Sequence, residues 1–125
     1  MAGASPWIAV IDDDPSVLKA LRRLLRTHAF HPKTFASAQE FLAALPDGIP
    51  ECLIVDLQMP EMSGLELHQH LTKSGFEIPT IIITAHDDSD VRRRCEAAGT
   101  AAYLLKPLQD TTFFSAIEKA RGRAD

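Results

Sequence analysis

The chain has 125 residues, is 46% hydrophobic and carries a formal net charge of −4. It is long enough for one domain with a real core and too apolar for intrinsic disorder. The acidic balance argues against generic nucleic-acid binding, and no apolar run is long enough to cross a bilayer as a helix.

The first predicted element is a short strand, Trp7-Ile8-Ala9-Val10-Ile11, which ends in Asp12-Asp13-Asp14. Asp14 suits a helix N-cap and Pro15 the first helical position. The helix that follows places Val17, Leu21, Leu24 and Leu25 on one face and Lys19, Arg22, Arg23 and Arg26 on the other. His31 to Phe35 reads as a second strand, at an edge. Ser37 with Glu40 forms a capping box for a second helix through Leu45, closed by Pro46, Gly48 and Pro50. Cys52-Leu53-Ile54-Val55 is an unbroken apolar run, the pattern of a strand buried on both faces, and it stops at Asp56. Ser63 with Glu66 makes another capping box, opening a helix that carries Leu67 and Leu71 and stops near Gly75. Pro79 to Ile83 is a β-branched fourth strand ending at Thr84. Asp87 to Ser89 can cap a fourth helix from about Asp90 to Ala98, with Gly99 just past its end. Ala101 to Leu105 is a fifth strand, ending at Lys106-Pro107. Asp110 is expected to cap a last helix with Phe113, Ile117 and Ala120 along one face.

Strand and helix thus alternate along the whole chain. The expected fold is α/β: a flavodoxin-like, doubly wound sheet of five parallel strands in the order 2-1-3-4-5, with five helices and right-handed crossovers. Residues 1–125 read as a single domain, with 121–125 a frayed tail or the start of a linker. Met1 to Pro6 lacks the basic start and apolar stretch of a signal peptide, so a cytoplasmic protein is expected. Cys52 and Cys95 match no CxxC or zinc spacing and read as buried thiols of a reducing compartment.

In this topology ligands bind beyond the carboxyl ends of the strands, at the switch point between the first and third. Asp12, Asp13 and Asp56 fall there, and the fourth and fifth strands add Thr84 and Lys106 to the same rim. Three close carboxylates repel one another and stay ionised only if a cation joins them. Oxygen ligands with room for water suit Mg²⁺. A metal, an ammonium and a hydroxyl are equipment for phosphoryl transfer, and Asp56 is the candidate nucleophile, since carboxylates form acyl phosphates. His28, His31, His68 and His70 show no metal-ligand spacing and are read as surface or packing residues. Arg92, Arg93 and Arg94 offer either a partner site or a solvated helix face, and charge alone favours the solvated face. Phe113 and Phe114 are adjacent, so one of them is expected to be partly exposed.

Asp12-Asp13, Asp56, Met59-Pro60, Gly64, Thr84-Ala85, Tyr103 and Lys106-Pro107 together resemble the receiver domain of two-component response regulators. The resemblance covers nearly the whole chain. Asp56 to Gly64, Thr84-Ala85-His86 and the ending from Lys106-Pro107 to Ala120 look closest to FixJ-type regulators. The resemblance implies that Asp56 accepts a phosphoryl group from a phosphohistidine of a sensor histidine kinase. It implies that Asp13, Asp56 and the Gln58 backbone carbonyl bind Mg²⁺, with Asp12 helping through water. It further implies that Lys106 contacts the phosphoryl group, that Thr84 moves toward it, and that Tyr103 changes rotamer with Thr84. The Lys106–Pro107 bond is expected to be cis. Gln58 and His86 occupy positions that tune reaction rates in such domains. The implied output is a switched face formed by the fourth helix, fifth strand and fifth helix, with a phosphorylation-dependent homodimer through the fourth helix and fifth strand. Self-phosphorylation and self-dephosphorylation are implied, but not turnover as an enzyme.

Three other classes share parts of this pattern. A flavodoxin-like FMN binder would offer hydroxyls and amides after the first strand, where this chain has Asp12-Asp13-Asp14; flavin absorbance discriminates. A haloacid-dehalogenase-type phosphatase also uses an aspartyl phosphate, but wants an acid two residues after the nucleophile, where Gln58 stands; turnover of a phosphate ester discriminates. A receiver-like module that only binds would lack phosphorylation residues, and here all are present.

Overall fold

The computed structural model describes residues 6–122. Five strands, β1 (Ile8–Ile11), β2 (Pro32–Phe35), β3 (Cys52–Asp56), β4 (Thr80–Thr84) and β5 (Ala102–Leu105), form one parallel sheet in the order β2-β1-β3-β4-β5. Five α-helices alternate with them: α1 (Pro15–Thr27), α2 (Ala38–Ala44), α3 (Gly64–Lys73), α4 (Ser89–Ala97) and α5 (Asp110–Gly122). The expected architecture and strand order are those observed. Among the described residues no helix is long and apolar enough to cross a membrane.

The strand period of two explains the two cores. Ile8, Val10, Ile54, Ile81 and Ile83 face α1 and α5, where Leu21, Leu25, Phe113 and Ile117 meet them. Ala9, Ile11, Leu53, Val55 and Ile82 face the other side, against Phe41, Leu67, Leu71 and Cys95 of α2, α3 and α4. Covering both faces is what makes β3 and β4 buried at every residue, whereas the edge strand β2 is only half-buried. Phe113 is fully buried and Phe114 half-buried, stacked on His28. Both cysteines are free and buried; burial pushes the Cys52 thiol up to about 12 and raises Cys95 as well.

The caps set where each helix begins. Asp14 accepts the Ser16 N–H at 2.9 Å, and its own pKa is lowered by the Ser16 hydrogen bonds. Ser63 and Glu66 form the full reciprocal capping box of α3. The box expected for α2 is altered: Ser37 Oγ takes the Glu40 N–H, but the Glu40 carboxylate reaches one residue further back, to the Ala36 N–H at 3.1 Å. α2 also stops at Ala44 and tightens into a 3-10 turn, Leu45–Asp47, because Pro46 has no N–H to continue the α pattern. Asp110 is the first residue of α5 rather than its cap; the Gln109 carbonyl takes the Phe113 N–H at 2.9 Å. An acid in that first turn still favours the helix dipole.

α1, α3 and α4 end alike. In α1 the Phe30 N–H returns to the Leu25 carbonyl and the Ala29 N–H to the Arg26 carbonyl. The same pair of bonds joins Phe76 and Gly75 to α3, and Thr100 and Gly99 to α4. The motif needs a left-handed residue, supplied by Gly75 and Gly99 but by Ala29 in α1, at φ 64°. Helix α5 runs to Gly122, so Arg121 is still helical; residues 123–125 of the expected tail lie outside the described residues.

Candidate functional site

The acid rim forms because each strand ends at the same level. Asp12 and Asp13 follow β1, Asp56 closes β3, Thr84 closes β4 and Lys106 follows β5. The carboxylates of Asp12, Asp13 and Asp56 each place one oxygen within 4.8 Å of the others. Asp12 is fully buried, Asp56 nearly so, and Asp13 is exposed, so the cluster opens to solvent on the Asp13 side.

Each buried acid divides its two oxygens between backbone and ammonium. Asp12 Oδ1 accepts the Asp14 N–H at 2.9 Å, and Oδ2 accepts from Lys106 Nζ at 3.0 Å. Asp56 Oδ1 accepts the Gln58 N–H at 3.3 Å, and Oδ2 lies 3.7 Å from Lys106 Nζ. Lys106 therefore serves Asp12 first and Asp56 second. Burial alone would lower the Lys106 ammonium, but the Asp12 hydrogen bond and the charges of Asp12 and Asp56 outweigh it, and its pKa is raised. Burial raises Asp56, and Asp12 adds to that; Lys106 and the Gln58 N–H pull the other way without cancelling it.

Thr84 and Tyr103 meet at a second point. The Thr84 hydroxyl accepts the His86 N–H at 3.1 Å and donates to the His86 carbonyl at 3.3 Å. The Tyr103 hydroxyl donates to that same carbonyl at 3.4 Å. Tyr103 is packed inward, its phenol raised by burial, with the Arg92 guanidinium 5.4 Å from the ring centroid. Both hydroxyls are thus engaged on the loop after β4 rather than on the acids. The Lys106–Pro107 peptide bond is cis.

Gly64 is among the residues that carry the receiver-domain resemblance, and the structure shows why a glycine stands there. A Cβ there would lie 2.7 Å from the Asp56 carbonyl oxygen and 3.2 Å from Val55 Cγ1. The start of α3 is also tied to the strand end by the Gly64 N–H bond to the Leu57 carbonyl, at 3.0 Å. Gly64 is what lets α3 come this close beneath the nucleophile candidate.

The donor set fits a hard divalent cation: three carboxylates, oxygen only, one face open to water.

The family model for the response regulator receiver domain matches residues 8–118. The chain belongs to that family. This receiver domain is 38% identical over 113 residues to the transcriptional regulatory protein FixJ of Rhizobium meliloti (strain 1021), an alignment covering 90% of the chain and 55% of the relative. It is 37% identical over 113 residues to the response regulator protein TmoT of Ectopseudomonas mendocina, covering 90% of the chain and 51% of the relative. The chain spans about half the length of the curated relatives it matches. Among solved structures, the crystal structure of FixJ-N superposes with a TM-score of 0.87 at 36% identity, covering 96% of each chain. A response regulator receiver protein from Burkholderia phymatum superposes with a TM-score of 0.81 at 43% identity, covering 94% of this chain and 96% of that one.

Proposed function

We propose that Asp56 is the phosphoacceptor of this receiver domain. An Asp56 carboxylate oxygen attacks the phosphorus of a phosphohistidine on a sensor histidine kinase, the P–N bond breaks, and the imidazole leaves as an acyl phosphate forms on Asp56. The observation that carries this reading is the placement of Asp56: at the end of the central strand, its Oδ2 3.7 Å from Lys106 Nζ and its carboxylate within 4.8 Å of Asp12 and Asp13.

Asp13, Asp56 and the Gln58 carbonyl would hold Mg²⁺, with Asp12 helping through water; bound there, the ion supplies positive charge to the phosphoryl oxygens. Lys106 turns from Asp12 toward the incoming group and neutralises its charge. Thr84 leaves the His86 carbonyl to donate to the phosphoryl group, and Tyr103, which shares that carbonyl, follows. Gln58 and His86, both exposed at the rim, set the rate at which water reaches the acyl phosphate. The domain catalyses only its own phosphorylation and dephosphorylation. Its output face is α4, β5 and α5, and phosphorylation favours a homodimer through α4 and β5, a shift of population rather than a new fold. The names of its relatives support transcription as the output, with DNA contact made outside these residues. The acidic net charge supports that assignment, and a cytoplasmic location and a single domain over 1–125 complete the reading.

The test is incubation with acetyl phosphate and Mg²⁺, read by intact mass. Wild type gains one phosphoryl group, chelation of Mg²⁺ prevents it, and Asp56→Asn gains none. Uptake by Asp56→Asn at the wild-type rate overturns the proposal.

A further inference from the structure

His68 takes no part in the rim, yet among the described residues it is the buried histidine, 7% exposed in the middle of α3. Its two ring nitrogens reach two other elements. Nδ1 lies 2.9 Å from Thr80 Oγ1 at the start of β4, and Nε2 lies 2.9 Å from the Ala98 carbonyl, the C-cap of α4. A carbonyl only accepts, so Nε2 carries a hydrogen. The Thr80 hydroxyl is also 2.9 Å from the Ile78 carbonyl. The Nε2 bond to Ala98 is the same whichever way the Thr80 hydroxyl turns.

Helix α4 has few other anchors, and the buried one lies toward its C-terminal end. Cys95 is its buried residue. The Cys95 carbonyl accepts the Thr100 N–H at 3.2 Å and the Thr100 hydroxyl at 3.0 Å. The lead-in and first residues, Ala85 to Asp90, are all exposed. The N-terminal half adds half-buried Val91 and the Arg92 contact with Tyr103, and its lead-in is held by the Thr84 and Tyr103 hydroxyls on His86, the bonds that the switch releases.

We infer that His68 is a buried strut pinning the C-terminal end of α4 to α3 and β4, so that α4 answers events at the rim by swinging at its N-terminal end. The swing rests on the phosphoryl-switch reading; the pin is a property of the resting fold and stands apart from it.

Amide hydrogen exchange on the full chain tests both halves, with wild type and His68→Leu, each with and without Mg²⁺ plus beryllofluoride as phosphoryl mimic. Without ligand, His68→Leu is expected to exchange about tenfold faster at residues 95–99, with β1 and β3 unchanged, because one buried bond is lost. His68→Gln, which keeps a donor, restores part of the protection. On adding the mimic, wild type changes at 85–93 and holds at 95–99, whereas His68→Leu changes throughout 85–99. Wild-type protection at 95–99 in ligand-free His68→Leu overturns the pin. Equal change at both ends of α4 in wild type overturns the swing. If the mimic changes nothing, even around Asp56, the phosphoryl reading and the swing fail together while the ligand-free comparison still decides the pin. Should His68→Leu not fold, the imidazole spectrum of wild type decides: a slowly exchanging Nε2–H supports the strut, and a rapidly exchanging one overturns it.

Discussion

Replacing Lys106 by methionine keeps an unbranched side chain but removes the ammonium that touches both buried acids. At an effective dielectric of about 20, a unit-charge pair is worth roughly 5.5 kcal/mol at 3.0 Å and roughly 4.5 kcal/mol at 3.7 Å, the two Lys106 distances. On the same scale, Asp12 and Asp56 oxygens within 4.8 Å repel by at least roughly 3.5 kcal/mol. Desolvation of the three charges cancels most of the attraction, and the Lys106 side chain is 23% exposed, so solvent screens part of the rest. The expected loss is the cost of stranding a buried acid, about 1–3 kcal/mol without metal at neutral pH, or roughly 4–12 °C in Tm for a domain of this size.

The pH dependence of this loss has a fixed sign. The raised Lys106 pKa means that its contribution is fully present below the ordinary lysine range and lost as pH rises through the folded value. The raised Asp56 pKa means that its buried charge costs stability above the folded value and that this cost disappears on acidification. The deficit of Lys106→Met should therefore shrink as pH falls through the carboxylate range, and Mg²⁺ should restore much of it at neutral pH. Urea unfolding across pH, with and without Mg²⁺, measures both. A variant as stable as wild type at neutral pH without metal, or a deficit unchanged from neutral pH to pH 4, refutes this account of the rim.

Gly64→Ala should cost about 1–3 kcal/mol in urea unfolding and weaken Mg²⁺ binding, because its Cβ would meet the Asp56 carbonyl oxygen at 2.7 Å. Ala29→Gly should stabilise by about 0.5–1 kcal/mol, since glycine relieves the left-handed φ of 64° at the end of α1; Gly75→Ala should have the opposite sign in the same assay. At a hundred times its dissociation constant Mg²⁺ should stabilise wild type by about 2.7 kcal/mol. Asp13→Asn should lose that gain, yet melt slightly above wild type without metal, because it removes one charge of the acid cluster; calorimetry with and without Mg²⁺ reads both.

The fold was legible because its signals are local. Unbroken runs such as Leu53-Ile54-Val55 declare strands covered on both faces, and Asp14-Pro15 and Ser63 with Glu66 declare helix starts. The acids and Lys106 were legible because each stands at the end of an apolar run. What sequence did not show are contacts across distant segments. Lys106 bonds Asp12, 94 residues away, more closely than Asp56, and sequence order does not rank two acids on one rim. Thr84 and Tyr103 were placed near the site, but their common acceptor, the His86 carbonyl, is a backbone atom with no sequence signature. His68 was read as a surface or packing residue; its partner Ala98 lies 30 residues on and contributes only a carbonyl. The displaced cap of α2 reflects geometry too: Glu40 is long enough to reach Ala36, past the Ser37 N–H that the motif predicts.

The central claim is that Asp56 is the phosphoacceptor. The most direct measurement is to phosphorylate the full chain with acetyl phosphate and Mg²⁺, reduce the acyl phosphate with borohydride, digest, and map the peptides. An acyl phosphate on aspartate is reduced to homoserine, a covalent mark at the acceptor position. The account predicts homoserine at position 56 alone, dependent on Mg²⁺. Homoserine at position 12 or 13, or a phosphoryl group that survives borohydride on another residue type, would contradict it.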